Sequence, residues 1–212
     1  MDSSSAPSAI PRQIVVIFLE VLTDLLGEHG TRALLRRAAL TDWIELGSES
    51  PDAAPVLAQS VSGLLASLEE LYGARGGRGL ARRLGSGLVD RYLRDLGALR
   101  GMRDEAFQRL PWRDRVRLGL GALRRVLSQL NAFAAELTVA GDRVVFSVPE
   151  CPFCAGRSLD APGCSPLVGL VEAALSVAVP DMHLPSEETE CRAVGARSCS
   201  VTVRVPQPAP AE

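Results

Sequence analysis

The hydrophobic period of the chain changes near Glu136, and this change restricts the possible folds more than any other feature. Before it, apolar residues recur at helical spacing. Residues 12–27 carry Ile14, Phe18, Val21 and Leu25 on one face and stop at Gly27, and Thr31 caps a short helix that ends at Ala39. Leu57, Val61, Leu64, Leu68 and Leu71 repeat the pattern over 52–72, as do Val116, Leu120, Leu123, Leu127 and Leu130 over 112–134. Between them, 80–96 predicts a helix weakened by Gly85 and Gly87. After Glu136 the period falls to two. Val144, Phe146 and Val148 alternate with Val145 and Ser147, and with 137–140 they flank Gly141-Asp142, a hairpin with glycine first in its tight turn. A Pro- and Gly-rich segment (149–166) leads to a short apolar helix over 167–177. Two further strands, 187–194 and 198–205, turn through Gly195, with Cys199, Val201, Val203 and Val205 on one face. Helices first and strands later predict an α+β fold in which an antiparallel sheet packs against a helical layer. The expected domain covers 12–205, helical over 12–135 and α+β over 136–205, between loose tails at 1–11 and 206–212.

Composition excludes several classes. Apolar residues make up 47% and charged residues 23% of the 212, which fits a globular chain and argues against wholesale disorder. A net charge of −2 gives no electrostatic reason to expect nucleic acid or an anionic membrane as a partner. The apolar run from Ile14 to Leu26 is cut by Glu20, Thr23 and Asp24, too short and too polar for a membrane span. The first eleven residues lack both a basic start and an apolar run, so no signal peptide is expected. Five cysteines without an export signal point to a reducing cytoplasm, where thiols serve as metal ligands or core residues more often than as disulfides.

All five cysteines fall in the last third of the chain. Cys191 and Cys199 are equidistant from Gly195, so a symmetric hairpin places them directly across from each other. Cross-strand Cβ atoms stand about 4.5–5.5 Å apart, close enough for two thiolates to share one tetrahedral ion. Glu188, three residues before Cys191, could reach the same ion if the strand bends, and Cys164 at the start of the 167–177 helix could supply a third sulfur. Three thiolates and a carboxylate form a closed set suited to zinc. Cys151 and Cys154 form a Cys-x2-Cys knuckle, which offers a second arrangement with Cys191 and Cys199 in place of Cys164 and Glu188. An iron–sulfur cluster is a further option for such a set. The plain alternative is a group of buried free thiols, since cysteine is among the most buried residue types.

These residues carry a family resemblance. The run from Gly141 to Val205, with Cys164 opening a Gly/Ala-rich helix that contains Gly169 and Glu172, then Glu188-Thr189-Glu190-Cys191, Gly195 and Cys199, resembles the 4-vinyl reductase domain. The helical part before it, including Tyr72-Gly73 and the Gly/Arg segment up to Gly87, is similar to the upstream part of that fold. The family includes bacteriochlorophyll-synthesis proteins, archaeal proteins described as hydrocarbon-binding, and sensor domains of aromatic-responsive transcription activators. Its fold is related to small subunits of the TRAPP tethering complex. In the aromatic sensors zinc is held by a Cys followed by Glu-x2-Cys-x7-Cys, which implies Cys164, Glu188, Cys191 and Cys199 here. The spacing from Cys164 to Glu188 is one residue longer than the sensor pattern, and the Cys151/Cys154 knuckle is extra. The resemblance implies a protein that binds a hydrophobic, aromatic or tetrapyrrole-like small molecule beside a structural zinc. A role in bacteriochlorophyll vinyl reduction and a dimerising scaffold are its other implications.

Long apolar ligands need aliphatic walls. The helix over 167–177, kept thin by Gly169, Ala173 and Ala174, and the helix carrying Leu123 and Leu127 offer them. The same small residues also suit two helices packed closely with no cavity between. Residues 12–27 are apolar around much of their circumference (Val15, Val16, Ile17, Phe18, Leu19), which predicts a homodimer through that face. The Gly73–Gly79 stretch follows a helix and lacks Gly-Lys-Ser/Thr, so it reads as a flexible linker and not as a phosphate loop. His183 lies near the metal segment as an alternative nitrogen ligand, and His29 sits where it would cap a helix end. No nucleophile–base pair or carboxylate dyad is visible, so no catalytic residue is assigned.

Overall fold

Two long helices, each bent at one glycine, make the frame of the structure, a computed structural model that describes residues 9–45, 55–93 and 96–206. Helix α1 (Arg12–Arg37) leaves helical geometry at Gly27 (φ 70°, ψ 167°), and α2 (Ala58–Leu88) does so at Gly73 (φ 74°, ψ 158°). Glycine adopts such positive φ without the Cβ penalty that other residues meet. In both cases the helix resumes at once. The stretch expected as a linker from Gly73 to Gly79 is therefore the start of the second limb of α2. A Cβ on Gly77 would lie 2.5 Å from the Glu69 Cα, so glycine there allows the two limbs to fold closely on each other. After a π-helical turn over Val89–Leu93 come the short α3 (Gly97–Arg100) and α4 (Glu105–Gln108), then α5 (Trp112–Gln129), started by Pro111.

Four antiparallel strands follow the period change: β3 (Glu136–Ala140), β4 (Arg143–Val148), β5 (Ser186–Glu190) and β6 (Cys199–Arg204), in the order β3-β4-β6-β5. Gly141 takes φ 59° at the β3–β4 turn, as the sequence implies. Between β4 and β5 lies α6 (Ser165–Ala178), of whose 14 residues ten are buried. It packs on α2 with backbones almost in contact. A Cβ on Gly85 would overlap the Pro166 carbonyl oxygen and one on Gly169 the Arg82 carbonyl oxygen, while the Arg82 guanidinium pairs with the Glu172 carboxylate across the seam. The inner face of the sheet (Val144, Phe146, Val148, Val201, Val203) joins the same core as the helices, so the α+β arrangement of a sheet on a helical layer holds.

One boundary is corrected. The N-terminal tail does not extend to Pro11: Ala9 and Ile10 pair with Leu57 and Val56, forming a small ribbon of β1 (Ala9–Ile10) and β2 (Val56–Leu57), and Ile10 is buried. Residues 1–8 and 207–212, which hold most of the two expected tails, lie outside the described residues. Val15, Val16, Phe18 and Leu19 are buried and Ile17 is half-buried, so most of the apolar circumference that suggested a homodimer packs within the chain. No helix among the described residues is long and apolar enough to cross a membrane.

Candidate metal centre and apolar cavity

The β5–β6 hairpin sets the geometry of the sulfur cluster. Glu190 pairs with Ser200, the symmetric register about Gly195, so Cys191 and Cys199 come next in line with their Sγ atoms 3.9 Å apart. The turn is longer than expected, with a 3-10 segment over Arg192–Val194 and Gly195 at φ 94°. Glu188 poses a problem of parity: residues three apart on a strand face opposite sides. The structure resolves it with a bulge. Glu188 pairs with Val201 and Glu190 with Ser200, which leaves Thr189 as the extra residue and puts Glu188 on the same face as Cys191 and Cys199. The Thr189 hydroxyl is held on the other face by the Thr202 hydroxyl at 2.9 Å.

Cys164 ends the loop before α6. Its backbone N–H donates to Glu188 Oε2 at 2.8 Å, so the carboxylate lies at the helix start, where the helix dipole favours negative charge. Its Sγ lies 3.7 Å from Cys191 Sγ and 3.5 Å from Cys199 Sγ. The knuckle converges on the same point: Cys151 Sγ is 3.5 Å from Cys164 Sγ, and Cys154 Sγ is 3.4 Å from Cys199 Sγ. All five cysteines are buried and unpaired by disulfides. Sequence spacing presents the knuckle and the Cys164/Glu188 pair as competing sets. The structure groups Cys164, Glu188, Cys191 and Cys199, and it groups the knuckle with Cys164 and Cys199 in place of the expected Cys191 and Cys199, each set with ligand atoms within 4.8 Å of one another. His183 lies outside this cluster, in a polar groove beside Arg82 and Glu172 that Ala173 also lines.

The residues fit a metal ion on two counts. A tetrahedral ion with bonds of about 2.3 Å needs sulfurs about 3.8 Å apart, and the observed separations bracket that value. Glu188 Oε1 is buried without a hydrogen-bond partner, an orphan that a cation would satisfy. Electrostatics point the same way. Burial, then the charge on Cys191, pushes the Glu188 carboxyl up to about 8. A hydrogen bond with the Cys164 thiol, helped by the backbone N–H groups of Gly163 and Ala193, lowers Cys191 to about 5. Hydrogen bonds from Cys151, Cys164 and Cys199 lower Cys154, burial raises Cys151, and bonds with the surrounding sulfurs, Cys151 first, raise Cys164. Crowded thiols beside a buried carboxyl suit a divalent cation, which would displace their protons on binding.

Beside the cluster lies a cavity without a polar lining. Ile10, Ile14, Phe18, Val61, Leu127 and Phe153 are among its fifteen lining residues, all of them aliphatic, aromatic or proline. Its volume is about 40 Å³, so the cavity is narrow. Its walls are α1, α2, the end of α5 and Leu170 of α6, where the sequence suggested helices and sheet. Pro152 and Phe153, the two residues inside the Cys-x2-Cys knuckle, close one side, and the Phe153 ring stands edge-on to Phe133 at 5.8 Å. Of the expected ligand-binding residues, Leu127 lines this cavity and Leu123 is fully buried in the core. Gly169 lies in the α2–α6 seam, the close-packing role that its size also allowed. Ile10, whose pairing rests on a strand of two residues, had no periodic signal by which to be found.

No family model matches the chain, and no curated protein matches it. Solved structures do. A point variant of the T. tengcongensis H-NOX domain aligns with TM-score 0.53 at 13% identity, over 94% of this chain and 99% of its own. A structure described as probing haem distortion in the H-NOX family aligns with TM-score 0.53 at 14% identity, over 94% and 97%. At such identities the likeness establishes a shared fold. A trafficking protein particle complex subunit 3 from Naegleria fowleri, covalently bound to palmitic acid, aligns over 92% of this chain and 97% of its own at 14% identity, with a TM-score of 0.44 that is too loose to support an argument.

Proposed function

We propose that this chain binds a slender apolar small molecule in the cavity beneath the Pro152–Phe153 knuckle, and that a zinc ion on Cys164, Glu188, Cys191 and Cys199 fixes the fold around it. The observation that supports the reading is the lining itself: fifteen residues meet around one space, and none presents a polar side chain. With four protein ligands the zinc has no open position, so it is structural. The narrow space favours an alkyl chain or a single aromatic ring over a planar macrocycle. Haem, the group named for an H-NOX neighbour, needs an axial ligand. No lining side chain carries a nitrogen, oxygen or sulfur. A role in bacteriochlorophyll chemistry, as the 4-vinyl reductase resemblance implies, finds no supporting feature in this cavity.

The test is fluorescence titration of lipid-stripped protein with N-phenyl-1-naphthylamine, followed by displacement with medium-chain fatty acids. Ile14, at the half-buried edge of the lining, gives the control: Ile14→Trp should fill the space and weaken probe binding by roughly tenfold or more, with the circular dichroism spectrum unchanged. Absence of saturable binding to the wild-type protein would overturn the proposal.

A further inference from the structure

Six buried or half-buried donor atoms surround a point where one tetrahedral ion needs four. Assigning the zinc to Cys164, Glu188, Cys191 and Cys199 leaves Cys151 and Cys154 over, yet these two sulfurs stand 3.5 and 3.4 Å from Cys164 and Cys199, as close as any pair in the first set. Cys164 and Cys199, themselves 3.5 Å apart, belong to both sets of four. Two tetrahedra that share one edge have this donor pattern: two common sulfurs, and two further ligands on each side. With bonds of about 2.3 Å on either side of the shared edge, two ions would stand about 3 Å apart.

We propose that the cluster holds two thiophilic divalent ions of the zinc class, bridged by the Sγ atoms of Cys164 and Cys199. One ion is completed by Cys191 and Glu188, and the other by Cys151 and Cys154. The inference rests on the zinc reading above and extends it to a second ion. A backbone donor supports a bridging thiolate: Arg192 N–H donates to Cys199 Sγ at 3.3 Å. Each ion releases the protons of the thiols it binds, and no electron transfer is involved.

The second ion has a structural consequence that the first lacks. Its two terminal ligands enclose Pro152 and Phe153, which close the apolar cavity. Occupancy of the knuckle therefore sets the position of the cavity wall, and ligand uptake responds to the second ion separately from the first.

Metal-free protein is titrated with zinc and the bound metal counted after desalting, and a parallel sample is loaded with 113Cd for NMR. Two ions per chain and two 113Cd resonances with mutual scalar coupling, which requires bridging sulfurs, are expected. Cys151→Ser/Cys154→Ser should fall to one ion, keep one resonance and lose apolar-probe binding. Saturation at one ion in the wild-type protein, with Cys151→Ser/Cys154→Ser unchanged, overturns the second ion while leaving the single zinc intact. Two uncoupled resonances overturn the bridge. Purified protein carrying iron and acid-labile sulfide overturns both this proposal and the zinc reading. The wild-type count and coupling decide the matter even if the double variant fails to fold.

Discussion

Replacing Gly169 by alanine tests whether α6 is clamped to α2 or stands free of it as a cavity wall. A Cβ at this position would overlap the Arg82 carbonyl oxygen and come within 2.9 Å of the Arg82 carbonyl carbon and the Ser86 nitrogen. All three are backbone atoms, so no rotamer change relieves the collision, and α6 must lift from α2. That lift strains the Ser86 hydroxyl bond to the Gly169 carbonyl (3.2 Å) and the Arg82–Glu172 pair. Overpacking costs about 1–3 kcal/mol, and a collision with backbone that no rotamer relieves belongs at the upper end, about 2–3 kcal/mol. Alanine in place of glycine inside a helix returns about 1 kcal/mol. The net expectation is a loss of about 1–2 kcal/mol, or a fall in Tm of roughly 2–8 °C for a chain of this size. Gly121→Ala in α5 is the matched control, because a Cβ there meets nothing within 4 Å and only the propensity gain remains. Urea denaturation of both variants gives the comparison. Gly169→Ala as stable as wild type, or shifted upward together with Gly121→Ala, would refute the close-packed seam.

Deleting Thr189 removes the extra residue and leaves Glu188 two positions before Cys191, on the same face of a regular strand, so the protein should keep tightly held zinc and the protection of the β5–β6 amides in hydrogen exchange; loss of both would contradict the bulge assignment. Phe153→Ala removes the ring that stands against Phe133 and should cost about 3–5 kcal/mol while widening the cavity, read by denaturation together with tighter binding of a bulkier apolar probe. Glu69→Gln leaves the mostly buried Arg157 guanidinium without its carboxylate at 3.1 Å and should cost on the order of 1–3 kcal/mol. Pairing it with Arg157→Met in a double-mutant cycle checks that the loss belongs to this contact.

Much of this fold can be read in the chain because its periodic signals are strong. The switch at Glu136, the Gly141 turn and the face shared by Cys199, Val201 and Val203 each follow from period-two or period-3.6 spacing, and tertiary contacts do not override them. The glycines are ambiguous in the sequence. Gly77 and Gly79 suggest flexibility, yet Gly77 is needed because the second limb of α2 passes against Glu69. Composition cannot separate a glycine that bends from one that makes room. Symmetry about Gly195 gives the Cys191–Cys199 proximity, but the placement of Glu188 depends on a one-residue bulge that no pattern announces. The meeting of the knuckle with Cys164 is set by the loop between β4 and α6, fixed by long-range contacts such as Leu159 N–H to the Ala193 carbonyl at 2.8 Å. The cavity depends on elements far apart in sequence: Ile10, Val61, Leu127 and Phe153 become neighbours only once α1, α2, α5 and the knuckle have packed.

The proposed metal centre on the buried cysteines would hold the wall of the apolar cavity. The most direct measurement is the affinity of a single protein sample for N-phenyl-1-naphthylamine as purified, after its metal is removed with a chelator, and after zinc is restored. Binding should fall by roughly tenfold or more on removal and recover with zinc. Equal affinity in all three states, with metal removal verified by elemental analysis, would contradict the claim.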